Sequence, residues 1–191
     1  MKSRMFWTRQ VEAVLKEFEN TGEYSVKKKY IEEKNGSISE YYLQVYDWFT
    51  KQSKNYLEIS EELRYPIWLS LEEEYMLQPT EGAIILELEI PETEYLIINN
   101  EAWGYRMNYL YIPLNDKDEK AHNQELIKLG IADESSLVLT DRGNFYPLLK
   151  KKIIDSWERI YTTTSLNPKE MVAVTWKLKA SWIRRVVKYE K

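Results

Sequence analysis

Three observations in this sequence predict an α+β fold: a single domain over residues 1–191, with a mixed or mainly antiparallel sheet and flanking helices. The first is a strand of period 2, in which Ile84, Leu86, Leu88 and Ile90 alternate with Ile85, Glu87 and Glu89. The second is helical spacing elsewhere, as in Val11, Val14, Leu15 and Phe18, and again in Tyr42, Val45, Tyr46 and Phe49. The third is order: helical and strand patterns follow one another without regular β-α alternation. The stretch 82–113 organises the rest. It predicts two strands around a break at Pro91, a short helical segment carrying Trp103, and an aromatic run ending at Pro113.

Taken in order, Met5, Phe6 and Trp7 predict a short strand that enters a helix, with Thr8 as N-cap and Gly22 as its C-terminal stop. Residues 23–36 predict a loop or frayed strand. A second helix is predicted from a Ser37/Glu40 capping box to about Leu57, with Trp48 on its flank. Pro66 through Leu71 predicts a strand, since Pro suits a first strand position or an edge. A weak helix follows Asn115 and ends near Gly130, and residues 131–143 predict an irregular connection. Tyr146, Leu149, Ile153, Trp157 and Ile160 predict one amphipathic helix, with Pro147 tolerated in its first turn. Met171 to Leu178 alternates as a strand, and residues 182–189 predict its partner.

Composition narrows the function classes. Cysteine is absent, which removes disulfides, Cys-ligated zinc and a thiol nucleophile, and fits a reducing cytoplasm. No run approaches the roughly 20 apolar residues of a membrane span, and no apolar leader follows Lys2 and Arg4, so a soluble, cytoplasmic protein is expected. His122 is the single histidine, in a region that reads as poorly ordered, so neither a His-rich metal site nor a His-based triad is expected. The pattern contains no P-loop and no GxGxxG. No cofactor and no metal are predicted.

Charge is segregated. Residues 1–149 sum to −11 and residues 150–191 to +7. Lys177, Lys179, Arg184, Arg185 and Lys188 form the strongest basic cluster, which a nucleic-acid module would use beside aromatics. A solvated or acid-paired face is the simpler expectation, given a pI near 5.3. Glu87 and Glu89 share a strand face, as a general acid–base pair or a Mg²⁺ site would. They are equally the natural partners of the basic C-terminal strands. Asp47, between Tyr46 and Trp48, is expected to pair with an Arg. The tryptophans at 7, 48, 68, 103, 157 and 176 are expected to be core for the most part, with an aromatic-lined pocket as the sharper alternative.

Several short pieces in collinear order carry a resemblance. They are Phe6-Trp7-Thr8-Arg9-Gln10, Tyr46-Asp47-Trp48, Tyr65-Pro66-Ile67-Trp68, Leu86 through Pro91, Ser156 through Ile160, and Thr175-Trp176-Lys177-Leu178. Together they resemble the bacterial domain-of-unknown-function 3841 family over nearly the whole chain. Departures are Ala173-Val174-Thr175 before Trp176 and the TTTS after Tyr161. The resemblance implies one bacterial cytosolic domain and supplies no activity. The strand-helix-Gly opening before aromatic-rich strands is also similar to small ADP-ribosyltransferase-like folds. That likeness would need Arg4 or Arg9, Tyr65 and a later Glu in one cleft.

The leading expectation is therefore a binding or interaction protein with a small molecule or a protein as partner. Its ligand site is placed at Arg9, Gln10, Tyr65 and Trp68. Strand ends can face both core and solvent, and a helix N-terminus after Thr8 would offer free N–H groups. The alternatives are an ADP-ribosyltransferase-like enzyme and a nucleic-acid module.

Overall fold

The computed structural model describes residues 2–189 and shows an α+β protein. The chain forms two compact units, Met1–Ile97 with Val172–Lys191 in the first and Ile98–Met171 in the second.

The first unit is built on strand β4 (Ala83–Pro91). Its Ile84, Leu86, Leu88 and Ile90 are buried as the alternation predicts. On one side it pairs antiparallel with β1 (Ser3–Val11) in an unbroken register from Ser3↔Pro91 to Val11↔Ala83. That ladder corrects the predicted N-terminus. Thr8 is mid-strand rather than an N-cap, and its buried hydroxyl donates to the Trp68 carbonyl at 2.9 Å. Helix α1 (Val14–Thr21) starts only after the pairing ends, and it stops as expected at Gly22, whose φ of 76° lets its N–H reach the Phe18 carbonyl.

Next come β2 (Glu23–Tyr24), helix α2 (Lys28–Asn35) where a loop was expected, and helix α3 (Ser39–Ser53). Helix α3 has no capping box: Ile38 is its N-cap, preceded by a 3₁₀ turn from Gly36 to Ile38. Its buried face is Leu43, Val45, Phe49, Thr50 and Ser53, while Tyr56 is exposed. Strand β3 (Ile67–Leu69) follows Pro66. After β4 come β5 (Leu96–Asn99) and, later in the chain, β6 (Met171–Thr175), β7 (Leu178–Lys179) and β8 (Ile183–Lys188). The sheets have the orders β1-β4-β8, β2-β7 and β3-β6-β5.

Strand β8 therefore pairs with β4, not with β6 as the sequence suggested. A bulge in this pairing falls between Glu87 and Leu88. Regular alternation would send Arg184 and Arg185 to opposite faces. The extra residue lets both reach the acidic face, Arg184 Nε to Glu89 at 2.9 Å and Arg185 Nε to Glu87 at 2.8 Å. That face is not uniformly wet, because Ile85 is fully buried on it. The Ile85 row holds Arg9 and Val187 on the flanking strands, and Arg9 donates to the Gln78 carbonyl at 3.2 Å. The connection after β3 is thus drawn across this row.

The second unit is helical: α4 (Asn100–Met107), α5 (Asp116–Lys128), α6 (Ser136–Leu139), α7 (Pro147–Ser156) and α8 (Arg159–Thr162). Asn99 and Asn115 cap α4 and α5 with their side chains. The single helix predicted over 146–160 is broken at Trp157, whose indole N–H is drawn to the Leu110 carbonyl at 2.9 Å. Residues 110–114 belong to no helix and no sheet. Their backbone is satisfied by side chains instead: Tyr111 N–H by Glu134, Ile112 N–H by Ser156, Ile112 C=O by Arg159, and Leu114 N–H by Asp118. His122 is not in a disordered stretch but buried on α5, stacked on Tyr111 at 4.2 Å with its Nε2 3.2 Å from Glu134. Among the described residues no helix is long and apolar enough to cross a membrane.

Candidate functional site

In the first unit three segments converge on an open cleft of about 550 Å³. They are the loop after α3 (residues 57–63), Thr93 and Glu94 after β4, and residues 175–177 at the end of β6. Pro91 ends the β4 ladder and a 3₁₀ turn follows, Glu92 to Glu94. The buried Thr175 hydroxyl holds that turn by donating to the Glu94 carbonyl at 2.7 Å.

The wall behind the cleft is a locked aromatic stack. Phe49 stacks on Trp68 and on Trp176, each at 5.8 Å with planes within about 22°. Trp176 donates its indole N–H to Thr50 at 2.8 Å, and Thr50 donates to the Arg64 carbonyl at 2.7 Å, which fixes the far end of the loop.

The polar wall is ionic. Glu94 lies 3.0 Å from Lys179 and 3.6 Å from Lys177, all three side chains being more than two-thirds buried. Lys179 is held above its ordinary value, first by the hydrogen bond to Glu94. Glu61 pairs with Lys54 at 2.7 Å. Glu58 is exposed at the rim and has no cationic partner among the described residues. Ser60 and Thr93 add hydroxyls. The arrangement can grip a small polar molecule by opposite charges and hydrogen bonds against a rigid floor.

The four residues expected to bind ligand are distributed differently. Gln10 and Trp68 are linked through Thr8, whose hydroxyl accepts from the Gln10 amide at 2.9 Å and donates to the Trp68 carbonyl. Arg9, the next residue on the strand, is turned to Gln78. Tyr65 is buried against Ile31 and Leu43, with Tyr42 and Tyr46 beside it. Arg4 meets Glu72 at 3.3 Å. Trp68 alone of the four relates to the cleft, as the second ring behind Trp176. Glu94, Thr93 and Glu58 escaped sequence reasoning. The usable signal was Pro91, which must end the ladder and leave the residues after it free to turn into a wall.

The other singled-out carboxylates are paired. Asp47 bonds Arg64 and lies 2.7 Å from Lys51; these hydrogen bonds, Arg64 first, hold its carboxyl below the ordinary value. Glu87 and Glu89 meet Arg185 and Arg184. Among the described residues no three His, Asp or Glu side chains are grouped as metal ligands would be.

Comparison with known proteins adds one match. The family described as "Domain of unknown function (DUF3841)" aligns with residues 5–184. The chain belongs to this family. No curated protein and no solved structure matches. Membership in DUF3841 covers both units and all the cleft residues, and it assigns none of them a role.

Proposed function

We propose that this chain is a binding protein whose first-unit cleft holds a small polar ligand bearing a cationic group. What carries the reading is the meeting of an unpaired carboxylate, Glu58, with the Glu94–Lys177 pair on a floor fixed by Trp176. An amine on the ligand satisfies Glu58, while its hydroxyl or carboxylate groups meet Lys177, Ser60 and Thr93. Charge-assisted bonds of this kind are the strong ones, and the partly buried Glu94 and Lys177 are less screened by salt than a surface pair. The rigid stack lowers the ordering cost of binding. The cysteine-free composition fits a reducing cytoplasm as the setting, and the family resemblance is what implies a bacterial one.

The test is a thermal-shift screen of amino acids, polyamines, amino sugars and nucleotides, followed by amide-shift mapping of any hit. A ligand raises Tm by mass action. The expected hit carries an amine, perturbs residues 57–63, 93–94 and 175–177, and loses its effect in Glu58→Gln and Lys177→Ala. A hit that maps to the outer face of the β1-β4-β8 sheet, or that is indifferent to both substitutions, rejects the reading.

A further inference from the structure

The second unit carries a groove of about 420 Å³ lined by Gly143, Asn144, Pro147, Lys150, Lys151 and Ile154. Helix α7 turns Leu149 and Ile153 inward, so its Pro147, Lys150, Lys151 and Ile154 flank is left to form one wall. The opposite wall is the 3₁₀ turn from Asp141 to Phe145.

Two properties of the surroundings are hard to reconcile with a face meant for water. Phe145 and Leu148 are both 82% exposed, Leu139 is 56% exposed and Ile154 38%. Ile154 lines the groove itself, while Leu139, Phe145 and Leu148 lie on α6, the 3₁₀ turn and α7 that frame it; exposed apolar side chains gathered around a groove are what a contact surface needs. The second property is charge. The lining holds two lysines and no carboxylate. Lys150 has no acidic partner among the described residues, and Lys151 has only Asp155 one turn along the same helix, at 2.5 Å with both side chains mostly exposed.

We propose that this groove docks an acidic, amphipathic segment of a partner protein. Its apolar anchors would cover Phe145, Leu148 and Ile154, and its Asp or Glu side chains would face Lys150 and Lys151. Nucleic acid offers phosphates, and its bases stack on flat aromatic rings, but Leu148 and Ile154 are aliphatic, so a protein segment fits both properties better than a polyanion does. The reading is independent of the cleft in the first unit and stands or falls without it.

The test uses the full chain to select from a phage-displayed library of peptides, with the enriched peptides then synthesised and titrated by fluorescence anisotropy. Enriched peptides are expected to combine Asp or Glu with Leu, Phe or Trp. They should weaken about tenfold on the double substitution Phe145→Ala, Leu148→Ala, the range for losing anchor contacts. Lys150→Ala should lower affinity and flatten its salt dependence. Because Phe145 and Leu148 are exposed, the double variant should melt with the wild type, which separates lost docking from lost folding. Failure to enrich any peptide, enrichment of basic peptides, or equal binding to the double variant overturns the proposal. So does a concentration-dependent dimer in sedimentation that the double substitution abolishes, since the occupant would then be a second copy of the chain.

Discussion

Trp176 donates its indole N–H to the hydroxyl of Thr50 at 2.8 Å, joining residues 126 positions apart, both almost fully buried. The Thr50 hydroxyl in turn donates a hydrogen bond to the Arg64 carbonyl. One hydroxyl thus ties the floor of the cleft to helix α3 and to the loop that forms its rim.

Thr50→Val keeps the shape and removes that hydroxyl, leaving a buried indole N–H and a carbonyl without it. The expected cost is about 1–3 kcal/mol, the range for orphaning buried polar groups. Urea unfolding measures it. A variant as stable as wild type would show that the Trp176–Thr50 bond is not formed in solution.

Asp118 holds the 110–114 segment through the Leu114 N–H and the Tyr111 hydroxyl, both at 2.8 Å, with Arg159 3.3 Å away. The Leu114 N–H is the foremost cause that puts its carboxyl below the ordinary 3.8, against the opposing effect of burial and with help from Tyr111 and Arg159. A depressed carboxyl is stabilising above its unfolded value, and the contribution disappears as pH falls through the folded value. Asp118→Asn should be less stable than wild type at pH 7 by roughly 1–2 kcal/mol. The gap should narrow as pH falls below 3.8 and close once pH has passed below the folded value. A pH-independent gap would mean that the charge of Asp118 is irrelevant to holding the segment.

How much of this was legible depends on whether a residue's role is set by its neighbours in sequence or by distant ones. The buried face of β4 and the Gly22 stop follow from local pattern and were readable. Thr8 was misread because an N-cap and a mid-strand threonine look alike until a nine-residue pairing with β4 is known. The break at Trp157 depends on the Leu110 carbonyl 47 positions away. The acid pairing of Glu87 and Glu89 could be anticipated from charge alone, but the bulge that brings Arg184 to the same face could not. Of the cleft, Trp176 was singled out for its aromatic ring and Lys177 for its charge, with Trp68 in the stack behind them. Glu94 went unnoticed because its place rests on Thr175, 81 positions further on.

Every member of the C-terminal basic cluster is engaged by a carboxylate: Arg184 by Glu89, Arg185 by Glu87 and Glu73, Lys188 by Glu12, and Lys177 and Lys179 by Glu94. A phosphate backbone would have to displace these carboxylates before any counterion release could favour it. Binding to single- or double-stranded DNA or RNA is therefore expected to be roughly micromolar or weaker at physiological salt. A nanomolar complex with a steep salt slope, lost in Arg184→Ala and Arg185→Ala, would show the opposite.

Two glycines of the second unit should respond to alanine with opposite sign. Gly143 is buried, and a Cβ there would run into the backbone carbonyl oxygen of Leu137, with Lys150 Cδ at 2.8 Å. The lysine stem can swing away, but the Leu137 backbone cannot easily do so, because the Leu137 side chain is fully buried. Gly143→Ala should therefore push the 3₁₀ turn off α6 and cost about 1–3 kcal/mol, the usual range for overpacking, or more. Gly104 lies inside α4 with open space where its Cβ would stand. Gly104→Ala should raise stability by about 0.5–1 kcal/mol, since the glycine there costs backbone entropy and gives nothing in return. Chemical unfolding gives both signs, and hydrogen exchange locates the loss. Loss of protection in Gly143→Ala should centre on α6 and the turn after it. If Gly143→Ala is as stable as wild type, the close approach of that turn to Leu137, and with it the wall of the groove, is wrong.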